Sequence, residues 1–183
     1  KYLYLQLDGE MASDVLVEIP EDDRTRFLKV LPPDVIASQF IEYMDSDDAA
    51  DVINELPEEI QEEVLSHIED IEQASDIADL MSFEEGTAGS LMAKELVSVY
   101  AHETVSACID EIRRQTESVD VLYAVYVVDD NEKLIGMLSL KKLIVSHPLA
   151  KVEEIFDGDV ISVKTSTSSE DVAELIRKYD LVV

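Results

Sequence analysis

The chain has 183 residues, of which 42 are Asp or Glu and 14 are Lys or Arg, so its formal net charge is −28. This charge excludes nucleic acid as a partner, because phosphates would be repelled over nearly the whole surface. A hydrophobic fraction of 46% suits one ordinary domain or two small ones. The longest apolar run, 121–128, is far shorter than the roughly 20 residues of a membrane span, so we expect a soluble chain.

The negative charge is concentrated in the first half. Residues 1–93 contain 25 acidic and 4 basic side chains, whereas residues 94–183 contain 17 and 10. Self-repulsion on this scale destabilises a compact state unless cations screen it, which makes divalent ions natural partners. Composition leaves one alternative open, a merely solubilising or salt-adapted acidic surface.

A short unit repeats about every dozen residues up to Glu85. Each unit opens with proline or an acidic residue, which suit the first turn and the positive end of a helix, and continues with apolar residues at helical spacing. Helices of two or three turns are marginal alone, so residues 1–85 are predicted to stack into an all-α superhelical domain. Residues 1–10 match no unit of the repeat.

After the glycines at 86 and 89 the pattern changes to alternating strands and helices. The whole chain is therefore predicted to be α+β, with one α/β motif at 86–148 and the incomplete start of a second at 149–183. The predicted elements are strand 96–100, helix 104–117, strand 123–128, strand 133–138, helix 139–146, a helical turn at 152–156, strand 160–163, helix 168–179 and the opening of a strand at 181–183.

The reactive side chains give no sign of catalysis. Cys108 lies on one face of a predicted amphipathic helix, which favours a buried, inert thiol. His67, His102 and His147 are too far apart for a local metal motif and are expected at the surface or at helix caps. Because no phosphate-binding glycine loop or nucleophile motif is present, we do not expect an enzyme.

Asp47 and Asp51 form the clearest local candidate for a cation site. They are four residues apart at the start of a predicted helix, so their carboxylates share one face, and Glu55 continues the stripe. Like charges at this spacing repel, and a divalent ion would relieve them. A solvated acidic face is the alternative reading of the same pattern.

Three stretches, in this order, carry a family resemblance: the acidic repeats with GTAGSLM at 86–92, then YVVDD and LIGMLSL within 126–140, then residues 165–180. The middle stretch resembles the core of a CBS motif, and the set is similar to the MgtE family of magnesium channels. The resemblance implies a helical N domain and two CBS motifs at the cytoplasmic face of the inner membrane, joined by a plug helix to a multi-pass pore that works as a homodimer. Mg²⁺ would then be both the transported ion and the regulator, locking the gate when bound between the N domain and the CBS region.

The resemblance also implies particular magnesium positions. Asp47 and Asp51 match the acidic pair of the N domain, and Asp14 lies near a further acid there. On the CBS side, carboxylates and main-chain carbonyls are implied as ligands, with Ser168 standing where the family often has Asp. The CBS-side positions are the Glu170 and Asp180 carboxylates and the carbonyls near Ser90 and Arg177.

An adenine nucleotide is the second ligand to consider, since CBS pairs commonly bind one. Lys141 and Lys142 occupy the stretch where related proteins hold the ribose with Asp, and Ala124 stands where an aromatic residue can stack on the base. The lysines could still meet phosphates, but both other contacts are compromised. The alternative function is therefore a CBS-type nucleotide sensor with the helical repeats as an interaction scaffold.

Overall fold

The computed structural model describes residues 6–116, 122 and 124–181. The chain divides into two compact units, each with its own apolar core. The helical unit is Lys1–Lys94 with Lys164–Val172, and the sheet unit is Glu95–Val163 with Ala173–Val183. None of the described helices is both long enough and apolar enough to cross a membrane.

The helical unit is a succession of short helices, as the repeat predicts. Among the described residues up to 80, α-helices begin at positions 9, 21, 33, 46, 58 and 71, so the period is 12 or 13 residues. The first of these helices begins within residues 1–10, which match no unit of the repeat. They are α1 (Gly9–Val17), α2 (Glu21–Leu28), α3 (Pro33–Gln39), α4 (Ser46–Asn54), α5 (Glu58–His67) and α6 (Ile71–Leu80).

Proline and aspartate mark the helix starts. Pro33 is the first residue of α3, whereas Pro20 and Pro57 lie one position before the predicted first turn, at the N-caps of α2 and α5. At both caps φ is near the value that the proline ring imposes. At α1, a carboxylate oxygen of Asp8 accepts the N–H of Met11 at 2.9 Å and caps the helix.

The helices share one apolar core. Leu16, Ile36 and Ile53 are at most 1% exposed, and each contributes about 1.5–3 kcal/mol by its burial. The ring of Phe40 packs edge-to-face on that of Phe27, with centroids 6.0 Å apart. Because helices this short are marginal in isolation, the shared core is what holds them folded.

A backbone pairing joins two distant segments of the helical unit. The N–H of Ala88 donates to the carbonyl of Thr167 at 2.7 Å, and the N–H of Gly89 donates to the carbonyl of Thr165 at 2.8 Å. Gly89 is buried, and a Cβ there would lie 2.6 Å from the Phe83 ring. Any side chain at 89 would therefore force the Phe83 ring to move, and glycine lets the segment pack this closely.

The sheet unit has a three-stranded sheet among its described residues, in the order β1-β2-β3. The strand β1 is parallel to β2, through a helical crossover, and β2 is antiparallel to β3. Together with the helical unit this sheet confirms the α+β class. Each element lies within its predicted range, and Tyr123, predicted to begin a strand, lies outside the described residues. The elements are β1 (Ser98–Tyr100), α7 (Val105–Gln115), β2 (Val125–Val128), β3 (Leu134–Leu138) and α8 (Leu140–Val145).

Valines from the strands pack with Cys108 in the core of the sheet unit. Val99, Val125 and Val127 are at most 2% exposed, and Cys108 is fully buried, as predicted. Burial raises the pKa of the Cys108 thiol to about 11, with a smaller contribution from the charge of Glu103. The thiol therefore stays protonated and unreactive near neutral pH.

The predicted strand at 160–163 is wrong. These residues have no regular structure, and positions 161–163 are exposed. A strand needs a hydrogen-bonding neighbour, and no described strand runs beside this segment. The next helix, α9 (Ser169–Tyr179), is formed as predicted, while positions 182–183 of the last predicted strand lie outside the described residues.

Candidate functional site

Helix α4 carries the acidic pair that the sequence singled out. Ala49, Val52 and other apolar residues form its buried side, which leaves the acidic side toward solvent. Asp47 lies half-buried in the first turn, and Asp51 lies exposed one turn later. The two carboxylates are on one side of the helix, as their spacing predicts. We call Asp47, Asp48 and Asp51 the α4 acidic face.

The charges on the α4 acidic face oppose one another. The pKa of the Asp51 carboxyl is raised, first because the surrounding protein removes part of its hydration although the side chain is exposed, and then by the charges of Asp48 and Asp47. The pKa of the Asp48 carboxyl is raised by the same partial loss of hydration and then by the charge of Asp47. A raised acid pKa means that the ionised form costs free energy in the folded protein. The sequence interpretation missed Asp48, although two consecutive acids at 47 and 48 were a visible signal.

Glu55, expected to extend the acidic stripe, is neutralised by an ion pair with Arg24. The Nε–H of Arg24 is shared between the two carboxylate oxygens at 3.1 Å each, and Nη2 contacts Oε1. The Thr25 hydroxyl donates to Oε2 at 3.1 Å. The Arg24 and Glu55 side chains are only 13% and 9% exposed. Because these donors occupy its oxygens, Glu55 is not a free member of the cluster, which corrects the sequence interpretation.

The α4 acidic face suits a hard cation that keeps much of its water. Its donors are carboxylate oxygens, and none of its members forms an ion pair with a described residue. Over residues 6–116, 122 and 124–181, no three His, Cys, Asp or Glu side chains are grouped to hold a metal by themselves. An ion here would be held by one or two carboxylates and several waters, as Mg²⁺ commonly is.

Two further predicted positions lie in the helical unit. Asp14 is exposed on α1. Ser90 is in a short 3-10 helix, Gly89–Leu91, where its hydroxyl donates to the carbonyl of Thr87 at 3.0 Å. The Ser90 hydroxyl is thus engaged locally, which is compatible with the prediction that this residue would act through its main-chain carbonyl.

The remaining predicted magnesium positions lie on α9. Glu170 is exposed in its first turn, and Arg177 is exposed in its last turn. Asp180 follows the helix with φ 51°, in the left-handed region, and the N–H of Leu181 donates to the carbonyl of Ile176 at 3.1 Å. This arrangement is a helix C-cap, which turns the chain at Asp180 and leaves its side chain exposed.

Lys141 and Lys142, the predicted phosphate contacts, are exposed on α8. The N-cap of α8 is Ser139, whose hydroxyl oxygen accepts the N–H of Lys142 at 3.3 Å. The structure therefore presents both ammonium groups to solvent without gathering other groups that would recognise a base or a ribose.

The sheet unit also contains a cleft of about 750 Å³ beside β1 and α7. Tyr100 and Tyr126 line it, together with three glutamates and one cation, Arg114, but Lys141 and Lys142 do not. A carboxylate oxygen of Glu103 in the lining is buried, with no hydrogen-bond partner among the described residues. Because the acids outnumber the cations, this cleft disfavours a phosphate group.

An apolar strip is exposed on α8 and just after it. Ile144 and Val145 are 80% and 74% exposed, and Leu149 is 75% exposed. Large apolar side chains this exposed, and this near one another in the chain, are typical of a surface that a partner covers.

Two family models match the chain. The model described as the MgtE intracellular N domain matches residues 1–86, and that of the CBS domain matches residues 88–146. Magnesium transporter MgtE of Enterococcus faecalis is 38% identical over 111 residues, which are 61% of this chain and 24% of that protein. The chain thus matches about a quarter of the length of this relative.

Two solved structures share the fold over nearly the whole chain. The crystal structure of the soluble part of a magnesium transporter has a TM-score of 0.85 at 33% identity, covering 98% of this chain and 70% of that one. The cytosolic domain of the Mg²⁺ channel MgtE in complex with ATP has a TM-score of 0.83 at 31% identity, covering 98% and 77%.

These findings define the class of the molecule, a helical MgtE N domain followed by a CBS domain. The chain belongs to the MgtE family, and it corresponds to the cytosolic region of those proteins. The family resemblance drawn from the three sequence stretches is confirmed.

Proposed function

We propose that this chain is the Mg²⁺-sensing region of a magnesium transporter, at the cytoplasmic face of a membrane. Mg²⁺ bound between the helical domain and the CBS region favours the closed state of a pore, and loss of the ion releases the helical domain. The pore conducts Mg²⁺ and is a separate, membrane-spanning part of the protein. In this proposal the chain regulates transport and catalyses no reaction.

The α4 acidic face carries the proposal. Its carboxylates repel one another, and none of the three forms an ion pair with a described residue. A divalent ion that bridges this face to a second surface would remove that repulsion and so favour the bridged state. The relatives' names, magnesium transporter and Mg²⁺ channel, are consistent with Mg²⁺ as that ion.

Both sides of the proposed bridge draw on the predicted positions. The helical side is Asp47 and Asp51 with Asp14. The resemblance assigns the other side to carboxylates and main-chain carbonyls in the linker and along α9. Its members are the Glu170 and Asp180 carboxylates and the carbonyls of Ser90 and Arg177. Of these, Ser90 and Glu170 fall in the helical unit as the structure divides the chain, and Arg177 and Asp180 fall in the sheet unit.

Limited proteolysis tests the proposal. We expect Mg²⁺ to slow cleavage in the linker near Gly86 of the wild-type chain, and we expect the Asp47→Asn/Asp51→Asn variant to need more Mg²⁺ for the same protection. Glu58→Gln/Glu59→Gln is the matched control, because it removes the same charge from exposed positions in the first turn of α5. Equal midpoints for the wild type and the Asp variant would contradict the proposed site.

We further propose that two copies associate through the CBS region. The exposed strip on α8 is the surface that supports this, because pairing would remove Ile144 and Val145 from water. An Ile144→Glu substitution is expected to shift the chain toward monomer in light scattering. Lys141→Gln, on the same helix, changes the net charge by the same single unit and is the control. A wild-type chain that is monomeric at high concentration would contradict this interface.

Nucleotide sensing is the second candidate function, favoured by the ATP complex of a similar cytosolic domain. In this chain it would rest on Lys141 and Lys142 meeting the phosphates. If it is correct, ATP should protect the linker from proteolysis better than Mg²⁺ alone, and Lys141→Ala/Lys142→Ala should abolish that protection. Protection by Mg²⁺ alone, unchanged in the lysine variant, favours magnesium sensing.

A further inference from the structure

Arg24 connects three helices of the helical unit. Besides its contacts with Glu55, its Nη1 donates to the carbonyl of Val17 at 2.9 Å, so one guanidinium joins α2, the end of α1 and the C-terminal end of α4. Side-chain exposure of 13% and 9% keeps the pair largely out of water. A planar guanidinium held on several sides has little freedom to turn elsewhere.

The charge of Arg24 also reaches the α4 acidic face. Asp51 is one turn before Glu55 on the same helix. Residues four apart share one side of a helix, so the guanidinium that pairs with Glu55 lies on the side of α4 that carries Asp51. Arg26 on the same helix behaves differently, since it is 78% exposed and pairs within α2 with Asp23 at 3.3 Å.

We propose that Arg24 is a built-in counter-ion that limits the cation affinity of the α4 acidic face. Its charge offsets part of the negative field of that face and cancels the charge of Glu55. The three aspartates of the face therefore bind a divalent cation more weakly than they would beside a Glu55 that had no arginine partner. This inference rests on the proposed function in one respect, that Mg²⁺ binds at α4.

The two partners of the pair have opposite expected effects on Mg²⁺ affinity. Arg24→Met removes a positive charge, so Mg²⁺ should bind the α4 acidic face about threefold to tenfold more tightly. Glu55→Gln removes a negative charge and leaves Arg24 unopposed, so Mg²⁺ should bind more weakly by a similar factor. The double variant restores the local net charge, and its affinity should be within about twofold of the wild type.

A purely structural role predicts a different pattern. If the pair only held α2 against α4, either single substitution would disorder the face and weaken binding. The sign of the Arg24→Met effect therefore separates the two roles. Arg26→Met is the matched control, because it removes the same charge from an exposed position and should leave the affinity unchanged.

The measurement is a MgCl₂ titration of the whole chain, followed by the amide chemical shifts of α4. Hexamminecobalt(III), whose ammine ligands prevent direct bonds to carboxylates, is titrated in parallel and should give the same order of affinities. If that order is lost with hexamminecobalt(III), the released Glu55 acts as a direct ligand and the counter-ion role is overturned. Weaker Mg²⁺ binding by a folded Arg24→Met variant overturns it as well.

A second comparison remains decisive if Arg24→Met does not fold, because a buried Glu55 left unpaired is strongly destabilising. Glu55→Gln and the double variant then form the test: the double variant should bind Mg²⁺ more tightly than Glu55→Gln, and equal affinities overturn the proposal. Absence of any Mg²⁺-dependent shift at α4 in the wild type would refute the magnesium site itself. If Mg²⁺ shifts the α4 amides but the affinities of the variants follow a different order, only the role of Arg24 is refuted.

Discussion

Replacing Asp51 with Asn should stabilise the metal-free protein. Asp51 faces Asp47 four residues before it and Asp48 three residues before it on α4, and each like-charge pair costs about 0.2–0.5 kcal/mol. Removing both pairs gives an expected gain of about 0.5–1 kcal/mol in the free energy of unfolding at neutral pH. A higher free energy of unfolding on loss of an acid indicates that the acid is repelled by its neighbours when no cation is bound.

The gain should depend on pH with a definite sign. Because the pKa of Asp51 is higher in the folded protein, the native state binds a proton more readily than the unfolded chain, and the wild type gains stability as pH falls through that window. The advantage of Asp51→Asn should therefore disappear toward about pH 4, near the ordinary pKa of Asp. Added Mg²⁺ should also reduce the advantage, since it stabilises the wild type by binding.

Urea unfolding of the whole chain with EDTA, followed by the helical circular dichroism signal, is the assay. A gain of this size moves the midpoint by about 0.3–0.6 M urea. Asp34→Asn is the control, and it should lower the stability. Asp34 lies in the first turn of α3, where its charge favours the helix, and no acid follows three or four residues later. A variant no more stable than the wild type at neutral pH would refute the repulsion argument.

Three further predictions concern the sheet unit. A Cβ at Gly136 would lie 2.6 Å from the carbonyl oxygen of Asp157, so Gly136→Ala should cost about 1–3 kcal/mol and lower the melting temperature, and unchanged melting would contradict the packing. Gln115→Ala removes a side-chain amide that accepts the N–H of Ser98 at 2.9 Å and donates to its carbonyl at 3.0 Å. This variant should lose about 1–2 kcal/mol in the free energy of unfolding, and the backbone N–H of Ser98 should exchange its hydrogen faster. Cys108, with its pKa raised to about 11, should resist a thiol reagent in the native chain and react once it is denatured, so rapid native labelling would contradict its burial.

The sequence predicted what is local. Proline and acids at 12- to 13-residue intervals predicted the helical unit, because helix starts depend on neighbouring residues. The spacing of Asp47 and Asp51 likewise predicted their common face, since a helix repeats every 3.6 residues. Those features required no knowledge of which helices touch.

Long-range partners were out of reach of the same reasoning. Arg24 and Glu55 are 31 residues apart, and nothing in either neighbourhood marks the pair. The bond from Ala88 to Thr167 joins a linker to a segment 79 residues later, whose own pattern indicates no strand. The β-branched residues at 160, 161 and 163 favour a strand, but the described residues supply no neighbour to pair with it.

Small-angle X-ray scattering during a MgCl₂ titration tests the central claim most directly. The wild-type chain is expected to become more compact as Mg²⁺ binds, with the Asp47→Asn/Asp51→Asn variant requiring a higher concentration and Glu58→Gln/Glu59→Gln following the wild type. A compaction midpoint that is the same in the wild type and the Asp variant would contradict a magnesium bridge through α4.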